Sequence, residues 1–404
     1  MEYRYTEPQN RWYVLSLGAL TMALCMAVPF ISLPVLFNEI SEDLDLNLVQ
    51  VGWIWGFSVA SGIFIVFLSG ILADRFGPKR ILIFACSIAG LAGASRGLAN
   101  SFSSLLLSAF LLGLTTGLIP SCIFKVAATW FPSHLLGFAS GILTTGNGVG
   151  FTIGSMFSAT LLSPMLGGWR NVLFLYGAVS VFVAVIWFIT IKDQQSPCMT
   201  AGKDRISLRE AVIYVIHNRN IWLISLAMLG YIGCTEGMSG YLPLYLREFK
   251  GWPPVSADGT LATFTGISTL GAIPLALLSD RLGKRKILIL YINVAAIVGL
   301  SLLSIAEGLF IWILIIMVGI GRDALVALSL TSAIESRGIG AQYSGTAIGL
   351  IQTVLRIGIF IAPPIGNSMA VIYPGLPFVV WAVFGVFSLV CFYLIREEGT
   401  YMKI

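Results

Sequence analysis

Charged residues are scarce in this chain. Of its 404 residues only 11% are Asp, Glu, Lys or Arg, and 57% are hydrophobic. In a typical soluble domain about a quarter of the residues are charged. This composition therefore excludes an ordinary soluble enzyme or binding module and favours a protein embedded in lipid. The formal net charge of +5 does not require a nucleic-acid partner, because basic residues at the cytoplasmic ends of membrane helices produce the same excess.

Histidine is also scarce, and cysteine does not occur in pairs. The two histidines, His134 and His217, lie far apart, and the six cysteines form no CxxC motif. No metal-ligand cluster, nucleophile–base arrangement or phosphate-binding glycine loop is present. We therefore expect no metal, no cofactor and no enzymatic activity. Most of the cysteines lie in apolar stretches, as small buried hydrophobic residues do.

Long apolar stretches dominate the remainder of the chain. About twenty apolar residues are enough to cross a bilayer as a helix, and stretches of that length predict twelve transmembrane helices. The predicted fold class is an all-α integral membrane protein. The predicted spans are 12–37, 49–74, 79–98, 103–130, 135–163, 170–191, 220–246, 258–279, 285–305, 308–333, 339–368 and 374–395.

One long polar stretch, residues 192–219, separates predicted helices 6 and 7. It predicts an N-terminal six-helix bundle at 1–191, a cytoplasmic linker at 192–219 and a C-terminal six-helix bundle at 220–404. Within the linker, the sequence Ser-Leu-Arg-Glu at 207–210 has the spacing of a capping box and predicts a short surface helix.

Lys and Arg residues are distributed unevenly between the two sides of these helices. If both termini are cytoplasmic, only four of the 24 fall on the outer side, and three more lie inside predicted helices. The outer residues are Arg96, Arg170, Arg247 and Lys250. Because basic residues concentrate in cytoplasmic loops, we predict a multi-pass protein of the plasma or inner membrane with both termini in the cytoplasm.

A charged turn occurs twice. Residues 70–80 read GILADRFGPKR, and residues 278–286 read LSDRLGKRK. Each copy places an acid, several bases and a glycine between two apolar stretches, as in a short cytoplasmic loop. The repeat indicates two related halves, which predicts a pseudo-two-fold axis along the membrane normal and a binding site at mid-depth between the halves.

These turns resemble the loop motif of the major facilitator superfamily, Gly-x-Leu-Ala-Asp-Arg-x-Gly-Arg-basic-basic. The first copy departs from it at Pro78, where a base is usual, and the second has Ala276 and Ser279 in place of glycine and alanine. The resemblance extends over the whole chain and implies transport by alternating access. Nothing in the sequence resembles an ATP-binding loop, so we expect a gradient to supply the energy. The resemblance also implies a cytoplasmic gate at Asp74, Arg75, Arg80, Asp280 and Arg281; alternatively, these charges only anchor the loops and set the topology.

The fifth predicted helix narrows the resemblance. Trp130-Phe131-Pro132 precedes glycines at 146, 148, 150 and 154, and small residues at every fourth position allow a helix to approach a neighbour closely. This pattern is similar to that of facilitators for monocarboxylates, oxalate-like acids and nitrate or cyanate. The arginines of nitrate porters in helices 2 and 8 are absent, which favours organic anions.

Five ionisable residues fall inside predicted helices. Such a residue costs at least about 2.5 kcal/mol on insertion scales, so each is a hypothesis for a functional site. The five residues are Lys125, Glu236, Arg322, Asp323 and Arg356. Four of them lie in the C-terminal half, so we expect that half to determine binding and the N-terminal half to supply the apolar side of the site.

Arg322 is the strongest candidate for binding a carboxylate, because a guanidinium group stays charged and can donate two parallel hydrogen bonds. The alternative is a structural ion pair with Asp323 or Glu236. Arg356 and Gln352 lie one helical turn apart and share a face, so both could contact substrate. Arg356 could instead pair with Asp323.

Two uncharged residues and one lysine complete the candidate site. Asn147 and Tyr241 could donate or accept hydrogen bonds at the substrate. Lys125 lies in the inner third of its helix, where its long stem favours an anchor at the interface over a substrate contact.

Glu236 and Asp323 are the candidates for proton coupling. Burial disfavours the charged form of a carboxyl group, and Glu236 lies among small residues that would allow its helix to flex. A permanent ion pair with Arg322 or Arg356 is the competing interpretation for Glu236, and a structural role is the competing one for Asp323.

The sequence therefore predicts a secondary active transporter that moves a small organic anion, a carboxylate, together with protons. Its expected partners are the small-molecule substrate, protons and the lipid bilayer, and we expect it to function as a monomer. The alternative within transport is a proton-driven exporter of amphipathic or cationic compounds. A membrane sensor without transport activity is a more distant alternative.

Overall fold

The computed structural model describes residues 8–131, 133–190, 208–282, 285–334, 336 and 339–395. In these parts of the chain the regular elements are helices, in agreement with the predicted all-α class. We number the twelve long helices α1 to α12. The first six are α1 (Pro8–Thr21, Met22–Ala27 and Val28–Leu44), α2 (Leu48–Phe76), α3 (Pro78–Gly97), α4 (Phe102–Trp130), α5 (Ser133–Phe157, Ser158–Leu162 and Ser163–Leu166) and α6 (Trp169–Thr190).

The other six follow a short linker helix, Leu208–Ile216. They are α7 (Arg219–Glu248), α8 (Pro254–Leu282), α9 (Arg285–Leu303), α10 (Leu309–Gly319 and Arg322–Ile334), α11 (Gly340–Met369) and α12 (Leu376–Leu394). Each of the twelve overlaps one predicted span, and the ends agree to within four residues except that α1 continues to Leu44, seven residues beyond the predicted end at 37. The agreement arises because the apolar stretches that set the predicted boundaries are the stretches that fold as helices.

Among the described residues, eleven of these helices are long and apolar enough to cross a membrane. The remaining one, α2, contributes a shorter apolar segment, Leu48–Ile63. The protein is therefore a multi-pass membrane protein. The cytoplasmic position of its termini stays a prediction.

The turn between α2 and α3 consists of a single residue, Gly77. Its φ of +87° lies in a region that favours glycine, and Pro78 follows at the first position of α3. Proline suits this position, because its fixed φ is helical and its missing N–H would have no partner within the helix. Pro78 is thus explained as the start of α3. Asp74, Arg75 and Asp280 of the expected gate lie in α2 and α8, but their side chains are outside the described set.

The contacts divide the described residues into two compact units. The first takes its residues from Met1–Thr200 and Gly240–Gly266, and the second from Ala201–Ser239 and Ile267–Ile404. The boundaries between them fall inside α7 and α8. The domain boundaries inferred from the sequence, 1–191, 192–219 and 220–404, stay a prediction.

In the first unit, helices pack closely where one of them has glycine. A Cβ atom on Gly113 of α4 would stand 2.2 Å from the carbonyl oxygen of Ser58 in α2. A Cβ atom on Gly90 of α3 would stand 2.7 Å from the carbonyl oxygen of Gly177 in α6, and one on Gly177 would stand 2.6 Å from that of Gly90. The side chain of Trp187 in α6 is fully buried, and its Nε1 donates a hydrogen bond of 2.8 Å to Thr21 Oγ1 in α1.

The glycines of α5 bring it against α1, as their spacing predicts. Cβ atoms on Gly146, Gly150 and Gly154 would stand 2.6 to 3.0 Å from backbone atoms or side chains of α1. The contact covers Met22–Ala27, where α1 widens into a π-helical turn. Such turns are rare and occur frequently at functional sites.

In the second unit, α7 packs against both α11 and α12. A Cβ atom on Gly358 of α11 would stand 2.2 Å from the carbonyl oxygen of Leu229 in α7. Gly237 of α7 approaches the ring of Trp381 in α12, and Trp381 Nε1 donates to Ala362 O of α11 over 2.8 Å. These contacts fix which face of α11 is buried against its neighbours.

The linker helix Leu208–Ile216 confirms the predicted surface helix and also belongs to the second unit. Tyr214 stacks on Tyr343 of α11, with ring centroids 4.4 Å apart. Trp222 Nε1 of α7 donates to Ile216 O over 2.7 Å. The helix is thereby fixed at the start of α7 and near the start of α11.

Candidate functional site

The site begins at an interruption in α10. Its first segment ends at Gly319 and its second starts at Arg322, so the single predicted span 308–333 is divided at Ile320 and Gly321. The neighbouring helices leave little space there: a Cβ atom on Gly271 of α8 would stand 2.1 Å from Ile320 O, and one on Gly321 would stand 2.4 Å from the side chain of Ile292 in α9. The interruption places Arg322 and Asp323 at the N-terminus of a half-helix.

Arg322 forms ion pairs with two carboxylates. Its Nη2 donates to Glu236 Oε1 of α7, and its Nη1 donates to Asp323 Oδ1 at 2.9 Å. We call Glu236, Arg322 and Asp323 the acidic triad. With both carboxylates ionised, the triad carries a formal charge of −1.

The two acids of the triad differ in exposure. The side chain of Glu236 is 9% exposed, whereas that of Asp323 is 36% exposed. The backbone N–H of Asp323, which has no partner within the half-helix, donates to Ser268 Oγ of α8 over 3.2 Å. An acidic residue in the first turn also interacts favourably with the helix dipole. Asp323 is thus held in place but remains accessible.

Among the described residues, Arg356 has no such partner. It lies near the middle of α11, and within the part of the chain that the structure describes it forms no ion pair and no hydrogen bond. Its Nε is buried. The acids that could have neutralised Arg356 are both bound to Arg322, so the structure has the Glu236–Arg322 pair and not the Arg356–Asp323 pair.

The face of α11 that carries Arg356 is open. Positions 345, 349, 352 and 356 share one face of a helix with 3.6 residues per turn. Cβ atoms on Gly345 and Gly349 would have nothing within 4 Å, and Gln352 and Arg356 are both partly exposed. We call these four residues the open face of α11. The opposite face is buried through Gly358 against α7.

Three other predicted site residues belong to the first unit. The amide oxygen of Asn147 in α5 is buried and accepts no hydrogen bond from the described residues. Tyr241 is fully buried and lies in ring contact with Tyr245 at 5.7 Å. Lys125 of α4 is partly buried. Their roles at the substrate stay predictions.

Two features of the site were not predicted from the sequence. The only sequence signal for the interruption of α10 is the pair of glycines that flank Ile320, and these lie inside an apolar stretch that predicts one continuous helix. The hydroxyl group of Tyr231 in α7 is buried and has no hydrogen-bond partner among the described residues. Nothing in the apolar sequence around Tyr231 distinguishes it.

Long apolar helices, an interrupted helix and charged groups inside the apolar segments together define an integral membrane protein of the transporter class. The family model described as Major Facilitator Superfamily matches residues 15–363. The chain belongs to this superfamily.

Two individual relatives are each less than 30% identical to this chain. A probable nitrate/nitrite antiporter, NarK1 of Thermus thermophilus, is 29% identical over 293 residues, which are 70% of this chain and 64% of that protein. The multidrug resistance protein MdtG of Klebsiella pneumoniae is 28% identical over 314 residues, 75% of this chain and 73% of MdtG. The aligned part therefore spans less than two thirds of NarK1 and less than three quarters of MdtG.

Solved structures agree on the fold. The chain resembles a bacterial homologue of the human lysosomal transporter Spinster, in an inward-facing and occupied conformation, with a TM-score of 0.81 and 17% identity over 96% of this chain and 97% of that one. The nucleoside transporter NupG gives a TM-score of 0.76 at 14% identity, over 95% and 98% of the two chains. At these identities the likeness shows the fold alone.

Proposed function

We propose that the protein is a secondary active transporter of a small organic anion, and that Arg356 is the group that binds the anion. The observation that carries the proposal is the division of charge in the second unit. Both acids contact Arg322, and Arg356 is left as a partly buried cation that no described acid neutralises.

This arrangement of charges is energetically costly. An unpaired charge taken out of water costs several kcal/mol, and a guanidinium group facing hydrocarbon would be costlier still. A ligand carboxylate would offset that cost by accepting two parallel hydrogen bonds. Gln352, one turn away on the open face, offers a neutral hydrogen-bonding group beside it.

The acidic triad is the proposed site of proton coupling. A group of two carboxylates and one guanidinium can take up one proton and become formally neutral, with Arg322 still held by the remaining carboxylate. Asp323 is the more exposed of the two acids, so we assign the exchangeable proton to Asp323 and the structural pairing to Glu236.

A second candidate is a proton-driven exporter of cationic or amphipathic compounds. Two observations favour it: the relatives include MdtG proteins, and the acidic triad carries a formal charge of −1. The unpaired Arg356 argues against it, because this cation would repel a cationic ligand.

Thermal unfolding of the purified protein with different probes distinguishes the two candidates. We expect lactate and butyrate to raise the unfolding temperature, since a ligand that binds only the folded state stabilises it. Tetraphenylphosphonium should not. In Arg356→Gln, the apparent affinity for the carboxylates should fall about 10- to 100-fold, the loss expected for hydrogen bonds to a charged group.

Two further variants control this measurement. Arg219→Gln makes the same chemical change at an exposed residue at the start of α7 and should bind as the unmodified protein does. Arg356→Lys keeps the charge but loses the planar pair of donors, and its affinity should be intermediate. Undiminished carboxylate binding in Arg356→Gln, or stabilisation by the lipophilic cation alone, would contradict the proposal.

A further inference from the structure

We infer that the ligand of Arg356 is a monoanion: a single carboxylate on a neutral body that lies along the open face of α11. The inference rests on the proposed binding of an anion at Arg356, and it narrows the substrate class. Three features of the second unit carry it: the number of available cations, the charge of the acidic triad and the residues of the open face.

The number of available cations is the first feature. The other basic residues in the described helices of the second unit, such as Arg219, Arg281 and Arg285, lie at helix ends, whereas Arg322 and Arg356 lie within the apolar spans. The guanidinium group of Arg322 holds Glu236 and Asp323. A dicarboxylate would need a second cation for its second charge. Without one, that charge would have to be desolvated unpaired, which costs several kcal/mol.

The charge of the acidic triad is the second feature. α10 and α11 pack against each other within the second unit, so the two sites are on neighbouring helices. While its exchangeable proton is absent, the triad carries a formal charge of −1 and would repel a second carboxylate on the ligand. Like charges placed together in a binding site are strongly unfavourable. The triad would repel a single carboxylate at Arg356 more weakly, because the guanidinium group of Arg356 neutralises that carboxylate.

The open face itself is the third feature. From Arg356 towards the start of α11, it presents the amide of Gln352 and then the bare backbone at Gly349 and Gly345, whose added Cβ atoms would meet nothing within 4 Å. An unneutralised guanidinium group would be costly against hydrocarbon, which argues that this face does not lie against lipid. The space beside the glycines therefore suits the neutral body of a ligand whose carboxylate is at Arg356.

A matched pair of probes tests the charge of the ligand. Succinate and succinamate have nearly the same shape, but in succinamate an uncharged amide replaces one carboxylate. At about pH 8 every carboxyl group of both probes is ionised. Thermal unfolding of the full-length protein should give an apparent affinity for succinamate about tenfold or more above that for succinate.

A variant tests the position of the neutral body. Gly349→Leu fills the space on the open face without touching Arg356, so it should weaken binding of hexanoate while leaving acetate binding unchanged. Gly349→Ala is the control for folding, since alanine is favoured over glycine in a helix interior by about 1 kcal/mol. Equal weakening for acetate and hexanoate would overturn this placement.

The outcomes separate the inference from the function on which it rests. Succinate binding equal to or tighter than succinamate binding would overturn the monoanion inference and leave anion transport intact. If nitrate binds more tightly than every carboxylate, the inference that the ligand has an organic body is wrong. If none of the anions stabilises the protein, both the inference and the proposed function fail.

Discussion

Arg322 and Arg356 are the same type of residue in neighbouring helices, yet their surroundings give them different chemistry. Arg322 is held by two carboxylates, so it contributes to the structure of the second unit and fixes the position of two acids. Arg356 has no described acid beside it. The proposed division of labour, with anion binding at Arg356 and proton exchange at the acidic triad, follows from this difference.

The two acids of the triad should respond differently to neutral substitution. In Asp323→Asn, we expect exchange of labelled substrate across proteoliposome membranes to persist while accumulation driven by a pH gradient is lost. The reason is that the exposed acid is removed and the pair between Glu236 and Arg322 remains. Accumulation that survives in Asp323→Asn would show that its proton is not the coupled one.

Glu236→Gln should affect stability and transport differently from Asp323→Asn. Removing one partner of a buried ion pair destabilises a protein by about 3–5 kcal/mol, and this loss is reduced here because Asp323 still contacts Arg322. We expect a lower unfolding temperature and the loss of both exchange and accumulation. A stable Glu236→Gln protein that loses only accumulation would move the coupling role from Asp323 to Glu236.

Close contacts at glycine organise the individual helices. The glycines at 146, 150 and 154 of α5 allow it to meet α1 along the π-helical turn at Met22–Ala27. The spacing of these glycines indicated close packing of α5, but the partner helix and the distorted turn depend on contacts that are distant in sequence.

Two alanine substitutions in α5 test this packing and should have opposite effects. Alanine is favoured over glycine in a helix by about 1 kcal/mol, and a Cβ atom added at Gly141 would have nothing within 4 Å. Gly141→Ala should therefore raise the unfolding temperature. In Gly150→Ala the new Cβ would stand 2.6 Å from Ala23 Cα, and such overpacking costs about 1–3 kcal/mol. The unfolding temperature of Gly150→Ala should therefore fall, and a rise would mean that α1 can move away at little cost.

The interruption of α10 is the element that the sequence predicted least well. Leu309–Gly319 and Arg322–Ile334 lie within one apolar stretch, and hydropathy does not distinguish a continuous helix from two half-helices. Glycines at 319 and 321 flank the interruption, and the close approach of Gly271 to Ile320 O accompanies it. Because these contacts join residues of different helices, the sequence of α10 alone could not predict them.

At the scale of the whole molecule, the uneven distribution of Lys and Arg predicts both termini on the cytoplasmic side. A green fluorescent protein fused after residue 404 should fluoresce, because it folds in the cytoplasm, and alkaline phosphatase fused at the same position should be inactive. The reverse result would invert the predicted topology and exchange the assigned inner and outer ends of every helix.

The sequence by itself determined the membrane class, the approximate bounds of twelve helices and the superfamily. These follow from local properties: the length of apolar stretches, the position of charged turns and the spacing of glycines. The five ionisable residues within the apolar stretches were also identifiable, since any such residue is costly in lipid.

Only the tertiary structure decided how those charges pair. Glu236 and Arg322 are 86 residues apart in the chain, and the sequence left open whether Glu236 would meet Arg322 or Arg356. The fold brings Glu236 of α7 to Arg322, which also pairs with its chain neighbour Asp323. Arg356 is left on the open face without a described acid. Local sequence sets which charges enter the membrane, but the energy of a charge depends on neighbours that only the folded chain brings together.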